Sequence, residues 1–274
     1  MFKIIIMALL IFIGMVGYDN ITDKAQPTTP VQQEQQKVSK HVKSAAMALF
    51  TSLLPPKEEW PSPVHKFYLA FNMDEVIDPI RQNPNWTSLD AMSRDIPQAL
   101  IAIEDHAFYN HGAIAVEGIL RAALANINAG EVVQGGSTLT QQFVKNVFLS
   151  HEQSMERKIE EAVLSLMLED NYSKDEILEL YLNTTYFGAG STGIRQASKT
   201  YFGKAPSALT LAEAAVIASL PYAPTGLNPL ENPEGCKKRQ LLVLAAMHKY
   251  GMINQGQLAE AKAEKIRLTN GTVM

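Results

Sequence analysis

The feature that most limits what this chain can fold into is the period of its apolar residues between Pro97 and Gly251. They recur every three to four positions in one segment after another, and hardly ever in twos. AVEGILRAALANINAG sets Val116, Ile119, Leu120, Ala123 and Leu124 on one stripe, with core as the default destination, and meets a glycine stop at Gly130. RKIEEAVLSLMLED sets Ile159, Ala162, Val163 and Leu166 on one face. SKDEILELYLN opens with Ser173 and places Glu176 three residues on, the spacing of a capping box. LTLAEAAVIASLP begins after Leu209 or Thr210 and stops at Pro221, and RQLLVLAAMHKYG stops at Gly251. QALIAIEDHAFYNHG follows Pro97, a residue suited to a first helical turn. Strand signals are few, so the expected class is mainly α. At 274 residues and 46% hydrophobic content, the chain can bury a full core as one large domain or two lobes.

The N-terminal part differs in kind. Ile4 to Tyr18 is an apolar run with Lys3 before it and Asp19 and Asp23 after it, the charge order of a segment whose N-terminus stays in the cytoplasm. It is shorter than the ~20 residues of a typical spanning helix, so a cleaved signal peptide competes with a retained anchor, and a buried helix is a third reading. No small-x-small site follows closely, and the expectation is a retained transmembrane anchor over residues 1–19. Residues 20–63 are rich in Gln, Thr, Pro and Lys and end in PPKEEWPSP, the composition of a flexible linker. That places the compact domain over residues 64–269.

Charge and cysteine content narrow the chemistry. With 24 basic and 28 acidic residues the formal net charge is -4, so bulk electrostatics give no attraction for nucleic acid, and any anion handling must be local. The single cysteine, Cys236, cannot form an internal disulfide or a cysteine-based zinc site and reads as a small buried hydrophobe.

In IAIEDHAFYNHG, Glu104 and Asp105 follow an apolar run at the expected end of a helix. Both the helix dipole and partial desolvation raise a carboxyl pKa there, toward the range useful for general base or acid work. A solvated acidic pair at a helix end is the alternative. His106 and His111 match no strong zinc spacing.

GGSTLTQQFVKN, residues 135–146, follows Gly130 so as to spell G-x-x-x-x-G-G-S, with Gly136 where a nucleotide-phosphate loop carries its lysine. The glycines and Ser137 read instead as a turn and N-cap. The helix they open puts Leu139, Phe143 and Val147 on one side and Thr138, Gln141 or Gln142, and Lys145 on another. Hydroxyl, amide and one ammonium suit sugar or phosphate oxygens, although a plain polar surface helix explains the same pattern. Farther on, Arg157, Lys158 and Glu161 share a helix face at spacings of three and four. Local ion pairing accounts for that. Together with Lys145, the cations could also neutralise a diphosphate leaving group while a separate carboxylate takes a proton.

Taken in order, EDHAFYNHG, GGSTLTQQFVKN, RKIEEA, ILELYLNTTYFGAGSTGI and LAEAAVIASLPYAPTGLNP resemble the five motifs of the peptidoglycan glycosyltransferases of glycosyltransferase family 51, over roughly Phe67 to Arg267. The resemblance implies a lysozyme-like, two-lobed helical domain whose smaller lobe contacts the membrane, held by an N-terminal anchor helix on the outer, periplasmic side of the cytoplasmic membrane. It implies a reaction in which a lipid-diphosphate-linked glycan is the donor and lipid II the acceptor. Glu104 corresponds to the general base on the acceptor's GlcNAc 4-hydroxyl and Glu161 to the second glutamate. Gln142, Lys145, Arg157 and Lys158 match residues near the donor diphosphate, and Ser137, Thr138 and Gln141 match the surrounding motif. The resemblance further implies Mg2+ or Mn2+ as an assisting ion, no organic cofactor, and a setting among other cell-wall synthesis proteins.

Three departures accompany it. Ala113 and Ala115 follow His111 and Gly112 where the family usually has His-x-Gly and then an Asp, and Gln153 stands where a basic residue is common. No S-x-x-K or K-T-G motif is found and only a short tail follows Arg267, so the chain resembles the monofunctional form. Two other readings stay open: a glycan hydrolase using Glu104 and Glu161 as an acid and base pair, and a non-catalytic scaffold that binds lipid II. The cations argue against the first, because cleaving a sugar-sugar bond produces no diphosphate.

Overall fold

The computed structural model describes residues 68–69, 71–119, 135–149 and 154–274. The expected anchor, the linker, the stripe from Leu120 to Gly130 and Gln153 lie outside the described residues. The described chain is mainly helical: α1 (Asp74–Arg81), α2 (Asp95–Glu104), α3 (Leu139–Phe148), α4 (Met155–Asn171), α5 (Lys174–Thr184), α6 (Ile194–Phe202), α7 (Leu211–Ser219), α8 (Pro233–Lys249) and α9 (Gln255–Ala263). Among the described residues, β pairing is limited to isolated bridges of Tyr186 with Thr192 and Arg267 with Val273. No described helix is long and apolar enough to cross a membrane.

Local chemistry sets where the helices begin. Ser173 and Glu176 close the predicted capping box of α5, and the same reciprocal pair recurs at Thr210 with Glu213 and at Asn254 with Gln257. Helix α3 differs by one residue from the expectation. Thr138 rather than Ser137 is the N-cap, because Gln141 stands three residues after Thr138 and its side chain returns to the Thr138 N–H. Helix α2 starts just before Pro97 and stops at Glu104, so the following residues form a turn and a short 3-10 segment, Phe108–Asn110. Helix α8 begins at Pro233 under an Asn232 cap, well before the apolar stretch that predicted it.

Helix α7 is the centre of one group. Every residue from Ala212 to Ser219 is buried, and its alanines let α2 and α8 pack closely against it and against each other. Helices α3, α4 and α5 form a second mutually packed group, with Leu139, Phe143, Leu168, Ile177 and Tyr181 fully enclosed. Each such apolar side chain contributes about 1.5–3 kcal/mol by leaving water.

Two expected faces turn out otherwise. On α4, Ile159 is 63% exposed and Leu166 is exposed as well, while Ala162 and Val163 are half-buried. The face turned inward carries Glu161, Leu164, Ser165, Met167 and Leu168. Apolar periodicity missed it because two of its positions are polar and satisfied internally; Ser165 Oγ, for example, donates to the Glu161 carbonyl at 2.6 Å. Val116 and Ile119, for which core was the default, are likewise exposed, Val116 at 64%.

The loop after α5 lies close against residue 224. Gly188 has φ +87°, and a Cβ there would stand 2.2 Å from the Pro224 carbonyl oxygen, so only glycine fits. The chain's last residues are part of the packed unit. Ile266 and Met274 exchange backbone hydrogen bonds, Ile266 and Leu268 are buried, and Thr269 N donates to the Tyr201 carbonyl at 3.0 Å.

Candidate active site

A cleft of about 750 Å3 is lined from both helix groups: by Glu104 of α2 and Arg239 of α8, by Gln142, Lys145 and Asn146 of α3, and by Tyr181 and Thr184 of α5. Ser137, Tyr186 and Tyr222 border it as well, and the Arg239 guanidinium lies over the Tyr222 ring at 4.1 Å.

Glu104 is the last residue of α2, where unpaired carbonyls disfavour negative charge. Burial pushes its carboxyl above the ordinary value of 4.5, with the neighbouring Asp105 adding to the rise. The Gln142 amide and the Arg239 charge oppose it. Gln142 Nε2 donates to Glu104 Oε2 at 3.1 Å, and Gln142 Oε1 accepts from Tyr181 Oη at 3.1 Å. A half-buried carboxylate with a raised pKa, facing a polar cleft, has the properties of a proton acceptor.

The acidic doublet divides its labour. Asp105 ties the end of α2 to the start of α3: its Oδ2 accepts from Leu139 N at 3.0 Å, and its Oδ1 lies 2.6 Å from His111 Nε2. His111 Nδ1 lies 2.6 Å from the Gly112 carbonyl, so both ring nitrogens face oxygen acceptors. Chiefly through the Asp105 bond, the His111 pKa is raised. His106 stacks on Tyr250 with centroids 4.1 Å apart.

The three predicted cations are held differently. Lys145, in the last turn of α3, is exposed and borders the cleft. Lys158 Nζ donates to Ser137 Oγ at 3.1 Å and pairs with Glu161 Oε1, while Arg157 Nη1 donates to Glu161 Oε2 at 3.2 Å. Glu161 is only 1% exposed and is not among the side chains lining the cleft. Both of its oxygens hold cations, which makes it an anchor for them. Thr138 and Gln141 are also buried. Thr138 Oγ1 donates to the Ala113 carbonyl at 2.7 Å and accepts from Gln141 N, so this pair builds the helix start while Gln142 and Lys145 reach the cleft.

Sequence reasoning did not single out Tyr181 or Arg239. Tyr181 lay inside the quoted ILELYLN run and Arg239 at the edge of an apolar helix. Each had a bland local reading, and only the packing of α5 and α8 brings them to Glu104. Among the described residues, no three His, Cys, Asp or Glu side chains are grouped to hold a metal ion. A Mg2+ or Mn2+ ion carried mainly by substrate phosphates would need only one or two protein carboxylates, and Glu104 is the one on the cleft. Cys236 is buried and free of any disulfide, as expected of a single cysteine reading as a small hydrophobe.

The cleft thus presents one carboxylate, Glu104, beside two cations, Lys145 and Arg239, a set suited to an anionic substrate. The chain belongs to the transglycosylase family, whose model matches residues 73–248. A Cupriavidus necator protein whose name assigns it to the transglycosylases is 40% identical over 194 residues, covering 71% of this chain and 84% of that one. Penicillin-binding protein 1A of Neisseria flavescens is 44% identical over 185 residues, covering 68% of this chain and 23% of that protein. The crystal structure of penicillin-binding protein 1A from Haemophilus influenzae is 33% identical, with a TM-score of 0.34 over 48% of this chain and 16% of that one. The chain thus spans about a quarter of the length of the penicillin-binding proteins it matches and most of the Cupriavidus protein.

Proposed function

We propose that this protein is a peptidoglycan glycosyltransferase that polymerises lipid II into glycan strands. The observation that carries this reading is that Glu104, a carboxylate raised by burial, shares its cleft with Lys145 and Arg239, cations that a glycan hydrolase would not need. Glu104 takes the proton from the 4-hydroxyl of the acceptor's GlcNAc. The acceptor oxygen then bonds to the anomeric carbon of the donor sugar with inversion, the bond from that carbon to the diphosphate oxygen breaks, and undecaprenyl diphosphate leaves. Lys145, Arg157 and Lys158 stabilise the charge that develops on the leaving diphosphate, and Glu161 acts through the two cations it holds. Ser137 keeps Lys158 beside the cleft. Thr138 and Gln141 position the helix that carries Gln142 and Lys145. Mg2+ or Mn2+, if bound with the diphosphate, would supply further charge neutralisation there, with Glu104 the carboxylate at hand.

The setting belongs to the same proposal: a lysozyme-like two-lobed domain over residues 64–269, tethered by residues 20–63 to an anchor over residues 1–19, on the outer face of the cytoplasmic membrane. The exposed Val116, Ile119, Ile159 and Leu166 support contact of the domain with lipid. Lipid II and the lipid-linked glycan are the substrates, and other cell-wall synthesis proteins are the expected company.

The test is lipid II polymerisation followed on a gel, wild type beside Glu104→Gln. Wild type should form polymer, and the variant should lose at least ~100-fold in rate. Shortening of preformed strands without polymer from lipid II would support a hydrolase instead. Wild-type polymerisation by Glu104→Gln would remove the assigned base.

A further inference from the structure

We propose that Tyr181 is a positioning residue for the base, its hydroxyl tethering Gln142 Oε1 so that the amide Nε2 stays on Glu104. The inference rests on the reading of Glu104 as the base of a glycosyl transfer and goes beyond it by identifying what holds that base in its working form. The two ends of a glutamine amide are nearly equal in size and opposite in polarity, so packing alone does not choose between them. A flipped Gln142 would place a carbonyl oxygen against the acceptor-only Glu104 carboxylate, so the carboxylate sets the orientation and the Tyr181 hydroxyl, by donating to Oε1, holds the amide in it. The hydrogen-bond chain has that orientation: Tyr181 Oη donates to Gln142 Oε1 at 3.1 Å, and Gln142 Nε2 donates to Glu104 Oε2 at 3.1 Å.

The far end of the chain is rigid. Tyr181 is buried on α5 with the Thr185 side chain also beside its hydroxyl, and burial raises its pKa, so the hydroxyl keeps its proton. At the near end, Glu104 Oε1 accepts no hydrogen bond from the described residues. It is the oxygen left for the acceptor hydroxyl, and the fixed amide aims it by holding Oε2. The charged groups around Glu104 are Asp105 beside it, Arg239 from α8 and Lys145 on the cleft wall. None of them is altered when Tyr181 is changed, so an effect on Glu104 is attributable to the amide.

The experiment is Tyr181→Phe in the 274-residue chain, which removes the hydroxyl and keeps the ring. Expected are a fall of about tenfold in kcat for lipid II polymerisation, a KM within about twofold of wild type, and an acidic limb of the pH profile moved to higher pH. The direction follows because a donor to the ionised carboxylate is no longer held in place, so burial is opposed less. Gln142→Ala alone should move the limb the same way, and adding Tyr181→Phe to it should change nothing further. An unmoved limb in Tyr181→Phe, with or without a lower Tm, overturns the inference, as do additive effects in the double variant. If wild type itself forms no polymer, the functional reading falls separately. A 13C NMR titration of the Glu104 carboxyl in wild type and Tyr181→Phe then decides the positioning: an upward shift in the variant sustains it and no shift overturns it.

Discussion

Glu104 occupies a position where an ionised carboxylate works against the fold: at a helix C-terminus and partly out of water. Its folded pKa lies above the ordinary value of 4.5, so folding favours the protonated form. The resulting penalty is absent below that ordinary value and fully present above the raised one. Glu104→Gln should therefore raise Tm at about pH 7 while abolishing polymerisation, and the gain in Tm should disappear at about pH 4. Thermal melts at the two pH values, beside the gel assay, check both halves. The adjacent Asp105 shows how little a sequence says about such a pair. Two neighbouring acids look alike on paper, yet one faces the cleft and the other accepts from Leu139 N, because the turn after α2 sends their side chains apart.

At the scale of the element, a helix start was legible where a capping box marked it, as at Ser173, and inward faces were not. A capping box is a contact between residues three apart, which a sequence displays directly, as at Ser173 with Glu176. Where two candidates stood side by side, at Ser137 and Thr138, the partner three residues on decided. Thr138→Ala should cost about 1–2 kcal/mol of stability, with the lost bond to Ala113 placing it at the upper end. Ser137→Ala should stay within ~0.5 kcal/mol and instead lower turnover by freeing Lys158. Urea unfolding of the two variants separates the cases. On α4 the apolar count pointed to the wrong face, because Glu161 and Ser165 are buried with their polar atoms paired. Whether a polar residue is paired is a property of its neighbours in space.

For the molecule as a whole, the cleft exists because two groups of helices meet with their polar edges together, α2 and α8 from one and α3 and α5 from the other. The closing residues share in that assembly. Ile266 and Leu268 are buried and Thr269 is bonded to the backbone of Thr200 and Tyr201 in the last turn of α6. Ending the chain at Lys265 removes two buried aliphatic side chains worth about 1.5–3 kcal/mol each. The shortened protein should unfold at a clearly lower urea concentration, and a midpoint equal to that of the full chain would contradict the packing. The sequence by itself determined the helical class, the capped starts at Ser173 and Thr210, and the order of motifs that marks the family, because these depend on residues a few positions apart. Only the tertiary structure decided which residues meet. It placed Tyr181 and Arg239 beside Glu104, withdrew Glu161 from the cleft and turned Ile159 outward, because burial and hydrogen bonding are settled between helices distant in the chain.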